Sequence, residues 1–174
     1  GSLAMQLIIL TATRTSEVIE SKWSEFDLKA GLWVIPKERM KGFREHRVPL
    51  SKQAVAVLAQ VKWDNKTSAF VFPGAKLDKP ISNMTCLAAL KRMGRSDLTV
   101  HGFRSTFRDW AAESTAYPRD VCEMALAHAI EDKSEAAYRR GDLLDKRAQL
   151  MTDWADFCDA ARVGAGVNSA DPVA

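Results

Sequence analysis

A change of hydrophobic period between Gly31 and Leu50 limits the folds open to this chain more than any other feature. On either side, apolar residues recur at helical spacing, but residues 32–35 and 47–50 are short runs with the composition of strands. Gly42 lies between them and marks a tight turn. The pattern predicts a chain that is mainly α, with one small three-stranded antiparallel sheet whose hairpin turns near Gly42.

The first predicted helices precede this sheet. Residues 3–10 are apolar nearly all round, which indicates a buried helix. Thr15 or Ser16 can cap a second short helix that continues through Trp23, since both residue types are favoured at helix starts.

Helical spacing also predicts most of the chain after the sheet. Ser51 and Ser82 are expected to open helices, and residues 70–72 are a brief extended piece. The expected buried stripes are Leu87, Leu90 and Met93 on the Ser82 helix and Phe103, Phe107 and Trp110 on the next. The helix with the Phe103 stripe is expected over residues 101–113, and three further helices are expected over residues 120–126, 133–139 and 143–162. Residues 163–174 have no periodicity and are expected to form a disordered tail.

Length and composition favour one domain. A chain of 174 residues that is 47% apolar can bury a full hydrophobic core. Gly1 and Ser2 resemble a cloning remnant, and an apolar helix follows with no lead-in. We therefore expect a fragment of a longer protein, in which residues 3–162 form a domain whose start is truncated.

The cysteines, histidines and apolar runs constrain location and cofactors. The three cysteines lie far apart without a CxxC pair, which indicates reduced thiols and, without a signal peptide, a cytoplasmic location. The apolar run over residues 7–10 is too short to span a bilayer. His46, His101 and His128 have no metal-ligand spacing with cysteines or carboxylates, so no metal or other cofactor is expected.

Basic side chains concentrate in two stretches of a chain whose net charge is +3. This charge permits binding to nucleic acid but does not by itself indicate it. The first stretch coincides with the predicted hairpin, and the second precedes the helix that begins near residue 101. Their basic residues are Lys37, Arg39, Lys41, Arg44 and Arg47 in the first stretch and Lys91, Arg92 and Arg95 in the second.

Six side chains along the chain are suited to chemistry on one phosphodiester. Arginine forks bind non-bridging oxygens, lysine and histidine move protons, and tyrosine supplies an oxygen nucleophile. No acidic cluster for Mg²⁺ accompanies them, so the positive charge has to come from side chains. The set points to DNA strand cleavage through a covalent phosphotyrosine, and its members are Arg14, Lys41, His101, Arg104, His128 and Tyr138.

The same positions lie in motifs that resemble a known family. TATRTSEV, ERMKGFREHRVPLS, HGFRSTFRDWAAE, LAH and AAYRRGD occur in that order. Together they resemble the catalytic domain of the tyrosine recombinases, or phage integrases, and look most like the integrases of satellite phages and genomic islands. The resemblance covers residues 3–162. It implies a helical domain with a three-stranded sheet, and an upstream helical domain that closes around DNA and is absent here.

The resemblance assigns a role to each candidate. It implies that Arg14 and Arg104 bind the scissile phosphate, that His101 and His128 contact its oxygens or move a proton, and that Lys41 protonates the departing 5′ oxygen. Tyr138 is implied to be the nucleophile. Each residue also has an ordinary structural role open to it, such as a surface ion pair for an arginine or a helix cap for His101. Lys37 and Arg39 compete with Lys41 for the hairpin position.

Further residues have supporting roles. Glu17 lies three positions after Arg14 and can orient that arginine, although an ordinary surface glutamate fits the same spacing. Arg39, Arg44 and Arg47 are expected to contact the DNA backbone, whereas His46 is expected to be a backbone contact at most or simply solvated.

The implied activity is site-specific recombination for the integration and excision of a mobile element such as a prophage or genomic island. It proceeds through a 3′-phosphotyrosine without metal or ATP. The implied partners are double-stranded attachment-site DNA and a homotetramer of the full-length protein, with a monomer equally open for the fragment alone. Two alternatives stay open from the sequence: a type IB topoisomerase-like strand transferase, and a catalytically silent DNA-binding module.

Overall fold

The computed structural model describes residues 1–64, 68–76, 78–128 and 141–167. The expected class, mainly α with one three-stranded antiparallel sheet, is confirmed, whereas the helix predicted over residues 133–139 lies outside the described residues. The described elements are α1 (Ser2–Thr11), α2 (Thr15–Ile19), β1 (Phe26–Asp27), β2 (Leu32–Ile35), β3 (His46–Pro49), α3 (Lys52–Asp64), α4 (Met84–Arg92), α5 (Gly102–Ser114), α6 (Arg119–Ala125) and α7 (Leu144–Val167), with 3-10 turns at Trp23–Glu25 and Lys37–Arg39.

Helix α1 is the buried helix expected from its apolar sequence. Leu7 and Ile8 are fully buried, because α3, α4 and α7 all pack against α1. The helix ends at Ala12, which takes a left-handed conformation with φ of 49° and donates its N–H to the Ile9 carbonyl. This sharp end turns the chain directly into Thr13 and Arg14.

The sheet is a meander in the order β1-β2-β3. Trp33 is the central residue, paired with Phe26 on one side and Val48 on the other. Between β1 and β2, the Asp27 carboxylate accepts hydrogen bonds from two backbone N–H groups of the turn. The returning strand starts at His46, one residue earlier than predicted, and this shift puts His46 inside the protein.

Two apolar clusters form the core. The first lies among α1, the sheet, α3 and α4, and the second lies among α5, α6 and α7, where Phe107 packs edge-on against Trp154 with ring centroids 5.4 Å apart. The Trp154 indole also donates to the Ile9 carbonyl at 2.8 Å, which fixes α7 against α1. The two clusters therefore meet at the C-terminal end of α1, beside Arg14.

The second predicted helix was too long. Helix α2 ends at Ile19 rather than Trp23, because the chain then pairs with a neighbouring segment instead of continuing as a helix. The Trp23 N–H donates to the Ala69 carbonyl, and Val71 N–H donates to the Ser21 carbonyl. Long-range pairing, which no local pattern encodes, wins over the helical continuation.

Two buried stripes also differ from the prediction. On α4, Cys86 and Ala89 join Leu90 in the core, whereas Leu87 is 39% and Met93 63% exposed. Small side chains face α1 because they allow close approach of the two backbones, and Met93 lies past the helix end.

On α5 and α7 the differences are smaller. Phe107 is fully buried as expected, but Phe103 and Trp110 are only partly buried, and Arg104 takes a core position. Helix α7 continues past the predicted end at residue 162 to Val167, so the tail expected from residue 163 begins with helical residues. No helix in the described part of the chain is long and apolar enough to cross a membrane.

Candidate active site

Arg104 lies on the inner face of α5 and is 5% exposed. One guanidinium nitrogen donates to the Ala12 carbonyl at the end of α1, and Nη2 donates to the Leu126 carbonyl at 2.8 Å. A buried guanidinium normally requires such partners, since taking a charge out of water is costly. These carbonyls fix both ends of the planar fork, so Arg104 holds α1, α5 and the end of α6 together.

Arg14 is held beside it by Glu17. The Arg14 backbone N–H donates to Glu17 Oε2 at 2.8 Å, and its Nη1 donates to Oε1 at 2.7 Å. Glu17 is only 4% exposed, and Arg14 donates to both of its carboxylate oxygens. Arg14 Nη2 also donates to the Ala127 carbonyl at 3.5 Å. The Arg14 side chain is 29% exposed, so part of it faces solvent.

The C-terminal end of α6 is the common acceptor for these cations. Leu126 O and Ala127 O come from successive residues and accept from Arg104 and Arg14, respectively. Ala127 has a positive φ of 50°, and this left-handed residue reverses the chain. The unpaired carbonyls at a helix C-terminus carry partial negative charge, which favours cations there. These backbone carbonyls, together with the Glu17 carboxylate that pairs with Arg14, thus hold two arginines at one place.

His128 follows directly after this turn. Its Nδ1 lies 2.5 Å from Glu123 Oε2, and its Nε2 lies 3.5 Å from Arg104 Nη2. The ring is 39% exposed, so one edge is accessible to a ligand. The structure therefore brings together Arg14, Arg104 and His128 from three distant parts of the sequence.

The paired arginines create a strongly cationic site. Burial and the neighbouring Arg14 charge lower the pKa of Arg104 to about 10, although Glu17 acts in the opposite direction. Two cations held this close, with one edge open, form a site for an anion that accepts several hydrogen bonds at once. A phosphodiester, with two non-bridging oxygens, has this character.

His101 and Lys41 lie in more exposed positions. His101 is the N-cap residue of α5, three positions before Arg104, and is exposed. Lys41 is exposed in the β2–β3 hairpin, where Phe43 is 75% exposed with a φ of 50°. Within the described residues, Lys41 forms no hydrogen bond or ion pair, so the structure does not bring it into contact with the arginines. Arg44 is exposed at the same tip.

Arg39 differs from its expected role as a DNA contact. Its guanidinium points inward, donating to the Glu25 carboxylate and to the Glu17 carbonyl at 2.5 Å. The side chain is only 16% exposed, and both of its Nη atoms donate within the protein. Because it binds the carbonyl of Glu17, Arg39 connects the hairpin base to the residue that orients Arg14.

Arg47 is partly exposed and shares a carboxylate with an arginine that the sequence did not single out. Arg47 Nη1 lies 3.1 Å from Asp142 Oδ2, and the buried Arg147 lies 3.0 Å from the same oxygen. Arg147 also donates to the Arg47 carbonyl at 2.5 Å. These bonds fix the start of α7 to strand β3.

The expectation that His46 is solvated or contacts the DNA backbone is wrong. It is 8% exposed, and burial together with the charge of Arg147 lowers its pKa to about 4, while a hydrogen bond with the Ala125 backbone acts against this shift. Arg104 and Arg14 also contribute to the shift. The imidazole is therefore neutral near pH 7 and lies within electrostatic reach of both arginines. The alternation of the strand could have revealed this, because His46 is in phase with the buried Val48.

Sequence reasoning also missed Glu123. It accepts from His128 and, through Oε1, from Arg108 Nε at 3.0 Å. The spacing of five between Glu123 and His128 fits neither a helical stripe nor a common motif, so no local signal was available. Only the left-handed turn at Ala127 brings the two side chains together.

The predicted nucleophile, Tyr138, lies outside the described residues. The other tyrosine, Tyr117, donates its hydroxyl to Asp153 Oδ2 at 2.6 Å, and burial followed by this hydrogen bond raises its pKa to about 12. Over residues 1–64, 68–76, 78–128 and 141–167, no three His, Cys, Asp or Glu side chains group closely enough to hold a metal ion.

Comparison with known proteins extends over most of the chain. Prophage integrase IntA of Escherichia coli (strain K12) is 41% identical over 158 residues, which cover 90% of this chain and 38% of IntA. The integrase of Enterobacteria phage P4 is 36% identical over 177 residues, covering 92% of this chain and 40% of that protein. The chain thus spans about two fifths of the length of these relatives.

Two solved structures share the fold. A lambda integrase dimer bound to a COC′ core site has a TM-score of 0.53 at 21% identity, covering 80% of this chain and 51% of that one. The Tn1549 transposon integrase in complex with circular intermediate DNA has a TM-score of 0.52 at 16% identity, covering 79% and 57%. Residues 2–142 match the phage integrase family. The chain therefore belongs to the phage integrase family of tyrosine recombinases.

Proposed function

We propose that this chain is the catalytic part of a site-specific DNA recombinase that integrates and excises a mobile element. The observation that carries the proposal is the convergence of Arg14, Arg104 and His128, with the two arginines on successive carbonyls of one turn. Residues 3–162 form the catalytic domain in this proposal. Its substrate is double-stranded DNA, bound by a homotetramer of the whole protein in the cytoplasm.

The arginines bind the scissile phosphate. Arg14 and Arg104 donate to its non-bridging oxygens, which gain negative charge as a fifth oxygen approaches phosphorus. Donors that are already fixed in position stabilise this charge without reorganising during the reaction. His128 donates to one of the same oxygens, and His101, at the start of α5, contacts the phosphate or transfers a proton.

The covalent step uses Tyr138. Its phenolic oxygen forms a bond to phosphorus while the bond from phosphorus to the 5′ oxygen breaks. The phenol gives up its proton to a nearby base, and Lys41 supplies one to the departing oxygen, so that a 3′-phosphotyrosine and a 5′-hydroxyl result. A 5′-hydroxyl from a partner strand then reverses the step. The phosphoester bond energy is retained, so neither ATP nor a metal is needed.

The remaining cations have different roles. Arg44 and Arg47 contact the DNA backbone beside Lys41, so affinity depends on phosphate contacts and falls steeply with salt. Arg39 is not proposed as a DNA contact, because both of its Nη atoms donate within the protein, to Glu25 and to the Glu17 carbonyl. It orients the Arg14–Glu17 pair instead.

A suicide substrate tests the proposal. DNA with a nick beside the scissile phosphate releases a short fragment on cleavage and traps the covalent protein–DNA adduct. The intact protein is expected to form the adduct, Tyr138→Phe to form none, and Tyr117→Phe to retain it, since the Tyr117 hydroxyl is bound to Asp153.

The two rival functions give different results. A silent DNA-binding module forms no adduct with any variant. A topoisomerase-like enzyme forms the adduct and relaxes supercoiled plasmid but exchanges no strands between attachment sites. Either result would overturn the proposed recombinase activity.

A further inference from the structure

We propose that Glu123 is a positioning residue that fixes the tautomer and orientation of His128, and that Arg108 holds Glu123 in place. The inference rests on the proposed function, since it gives His128 a defined proton arrangement at the scissile phosphate. Neither Glu123 nor Arg108 belongs to the set of side chains suggested by the sequence.

The side-chain geometry fixes which nitrogen carries the proton. Glu123 Oε2 lies 2.5 Å from His128 Nδ1, and an ionised carboxylate can only accept a hydrogen bond. Nδ1 must therefore bear the hydrogen. The other ring nitrogen, Nε2, then faces Arg104 Nη2 at 3.5 Å and the open edge of the site. A carboxylate partner is a common way to fix the orientation of a functional histidine.

The backbone reinforces this side-chain contact. The His128 N–H donates to the Glu123 carbonyl at 3.0 Å, and the turn between them closes through the left-handed Ala127. Glu123 and His128 are thus joined by a main-chain and a side-chain hydrogen bond. Two bonds between the same pair leave the imidazole little freedom to rotate.

Arg108 uses the second oxygen of the carboxylate. Its Nε donates to Glu123 Oε1 at 3.0 Å, so both carboxylate oxygens have a partner. Arg108 lies four residues after Arg104 on α5, and the two side chains therefore lie near one another on the helix. Arg104, His128, Glu123 and Arg108 form a chain of three contacts that begins and ends on α5 and aligns this helix with the end of α6.

This chain of contacts has a chemical consequence at the phosphate. In the Nδ1–H tautomer, Nε2 carries a lone pair that faces Arg104 Nη2. When a phosphate oxygen occupies the site, a protonated ring can donate its Nε2 hydrogen instead, and the Glu123 carboxylate stabilises that cation. Burial opposes ionisation of Glu123, but hydrogen bonds from His128 and Arg108 outweigh it and hold the pKa of the carboxyl below its usual range.

The groups that face His128 have opposite effects on its charge. Arg104 from α5 and the nearby Arg14 disfavour a cationic ring, whereas Glu123 from α6 favours it. Without the carboxylate, the ring loses this favourable partner, whereas Arg104, Arg14 and the Arg108 that Glu123 had paired with remain nearby. The ring would then be a weaker hydrogen-bond donor to the phosphate.

Two variants separate the effects of geometry and charge. Glu123→Gln retains an oxygen that can accept from Nδ1 but loses the charge, whereas Glu123→Ala loses both. Glu113→Gln is the matched control, because Glu113 is an exposed glutamate on α5. Nitrogen NMR of the imidazoles reports the tautomer without requiring activity, and His128→Asn identifies the signals among the three histidines.

We expect the wild type and Glu113→Gln to have the Nδ1–H tautomer at His128, and Glu123→Ala to have a mixture. With the suicide substrate, Glu123→Gln should cleave roughly tenfold more slowly than wild type and Glu123→Ala more slowly still, whereas Glu113→Gln should match wild type. An unchanged tautomer in Glu123→Ala, or an unchanged cleavage rate in both Glu123 variants, would overturn the inference. A wild type that forms no adduct would instead overturn the proposed function, while the tautomer measurement would still decide the role of Glu123.

Discussion

The arginine centre and the hairpin tip, both assigned to the same phosphate, are built in opposite ways. At the centre, Arg104 is 5% exposed and its fork is fixed by two backbone carbonyls. At the tip, Lys41 and Arg44 are exposed, and neither has a hydrogen-bond or ion-pair partner within the described residues. One region is fixed by contacts within the fold, whereas in the proposed function the other would find its partners only on the DNA.

The difference between a buried, fixed arginine and an exposed lysine matches the different roles proposed for them in the reaction. A charge that stabilises the transition state must already be in place before the reaction. Burying the Arg104 charge is costly, and hydrogen bonds to two fixed carbonyls offset this cost. A proton donor on a hairpin can remain solvated until a strand approaches, and its ordering then draws on binding energy. Substitutions at the centre should therefore affect both stability and cleavage, whereas those at the tip should affect cleavage alone.

Strand β3 connects the two regions. It begins at His46, which is buried within electrostatic reach of Arg104 and Arg14, only five positions after the exposed Lys41. Arg39 makes a second connection, from the base of the hairpin to the Glu17 carbonyl. Any movement of the hairpin on DNA is thus limited at its base by contacts with the centre.

The largest effect is expected for Arg104→Ala. It removes a donor to the phosphate and leaves the buried Ala12 and Leu126 carbonyls without their partner. Cleavage of the suicide substrate should fall by at least about 10³-fold, and the free energy of unfolding by about 2–3 kcal/mol. Urea denaturation measures the second quantity. Arg92→Ala, which changes an exposed arginine on α4, should alter both by little. A fully stable Arg104→Ala protein would break the contrast between centre and tip.

Lys41→Ala should affect chemistry without affecting the fold. We expect a loss of about 10²–10³-fold in cleavage and a change of less than about 0.5 kcal/mol in stability. A substrate whose 5′ position carries a better leaving group needs no proton, so it should restore much of the rate. Lys37→Ala is the control, as Lys37 is exposed at the base of the same hairpin. Equal impairment on both substrates would contradict the acid role of Lys41.

Stability should depend on pH through His46, at the junction of the two regions. Its folded pKa is about 4, below the ordinary 6.5, so between these values the unfolded chain binds more protons than the native one. The contribution is present above pH 6.5 and is lost as pH falls toward 4, amounting to about 3 kcal/mol. Arg147, Arg104 and Arg14 face this ring and disfavour its protonation.

Denaturation of the wild type and of His46→Gln at pH 7 and pH 4.5 measures this contribution. The amide cannot titrate but can still bond the Ala125 backbone. The difference in stability between the two proteins should shrink at low pH. A difference that stays constant with pH would mean that His46 is not buried as a neutral ring.

The sequence predicts residues whose role is encoded locally. The change of hydrophobic period predicted the sheet. The order of the motifs predicted Arg14, Arg104 and His128, which the fold brings together. It did not predict contacts that depend on chain reversal, as for Glu123 and His128 across the left-handed Ala127. The inward turn of Arg39 was missed for a similar reason, because charge density alone does not reveal a buried acceptor such as Glu25.

The smallest effect is expected at Phe43, in the hairpin tip. This residue has a φ of 50°, a conformation that costs an L-residue about 1–2 kcal/mol and glycine almost nothing. Its side chain is 75% exposed, so little packing is lost on removal. The added freedom of glycine in the unfolded chain offsets part of the gain.

Phe43→Gly should therefore stabilise the protein by about 0.5 kcal/mol in urea denaturation. Phe43→Ala is the matched control, because it removes the ring but retains the Cβ that opposes the left-handed conformation. If both variants changed stability equally, the gain would come from loss of the ring and not from relief of backbone strain. A destabilised Phe43→Gly protein would mean that the tip is held by packing, as the centre is, and the contrast between the two regions would then be confined to their charges.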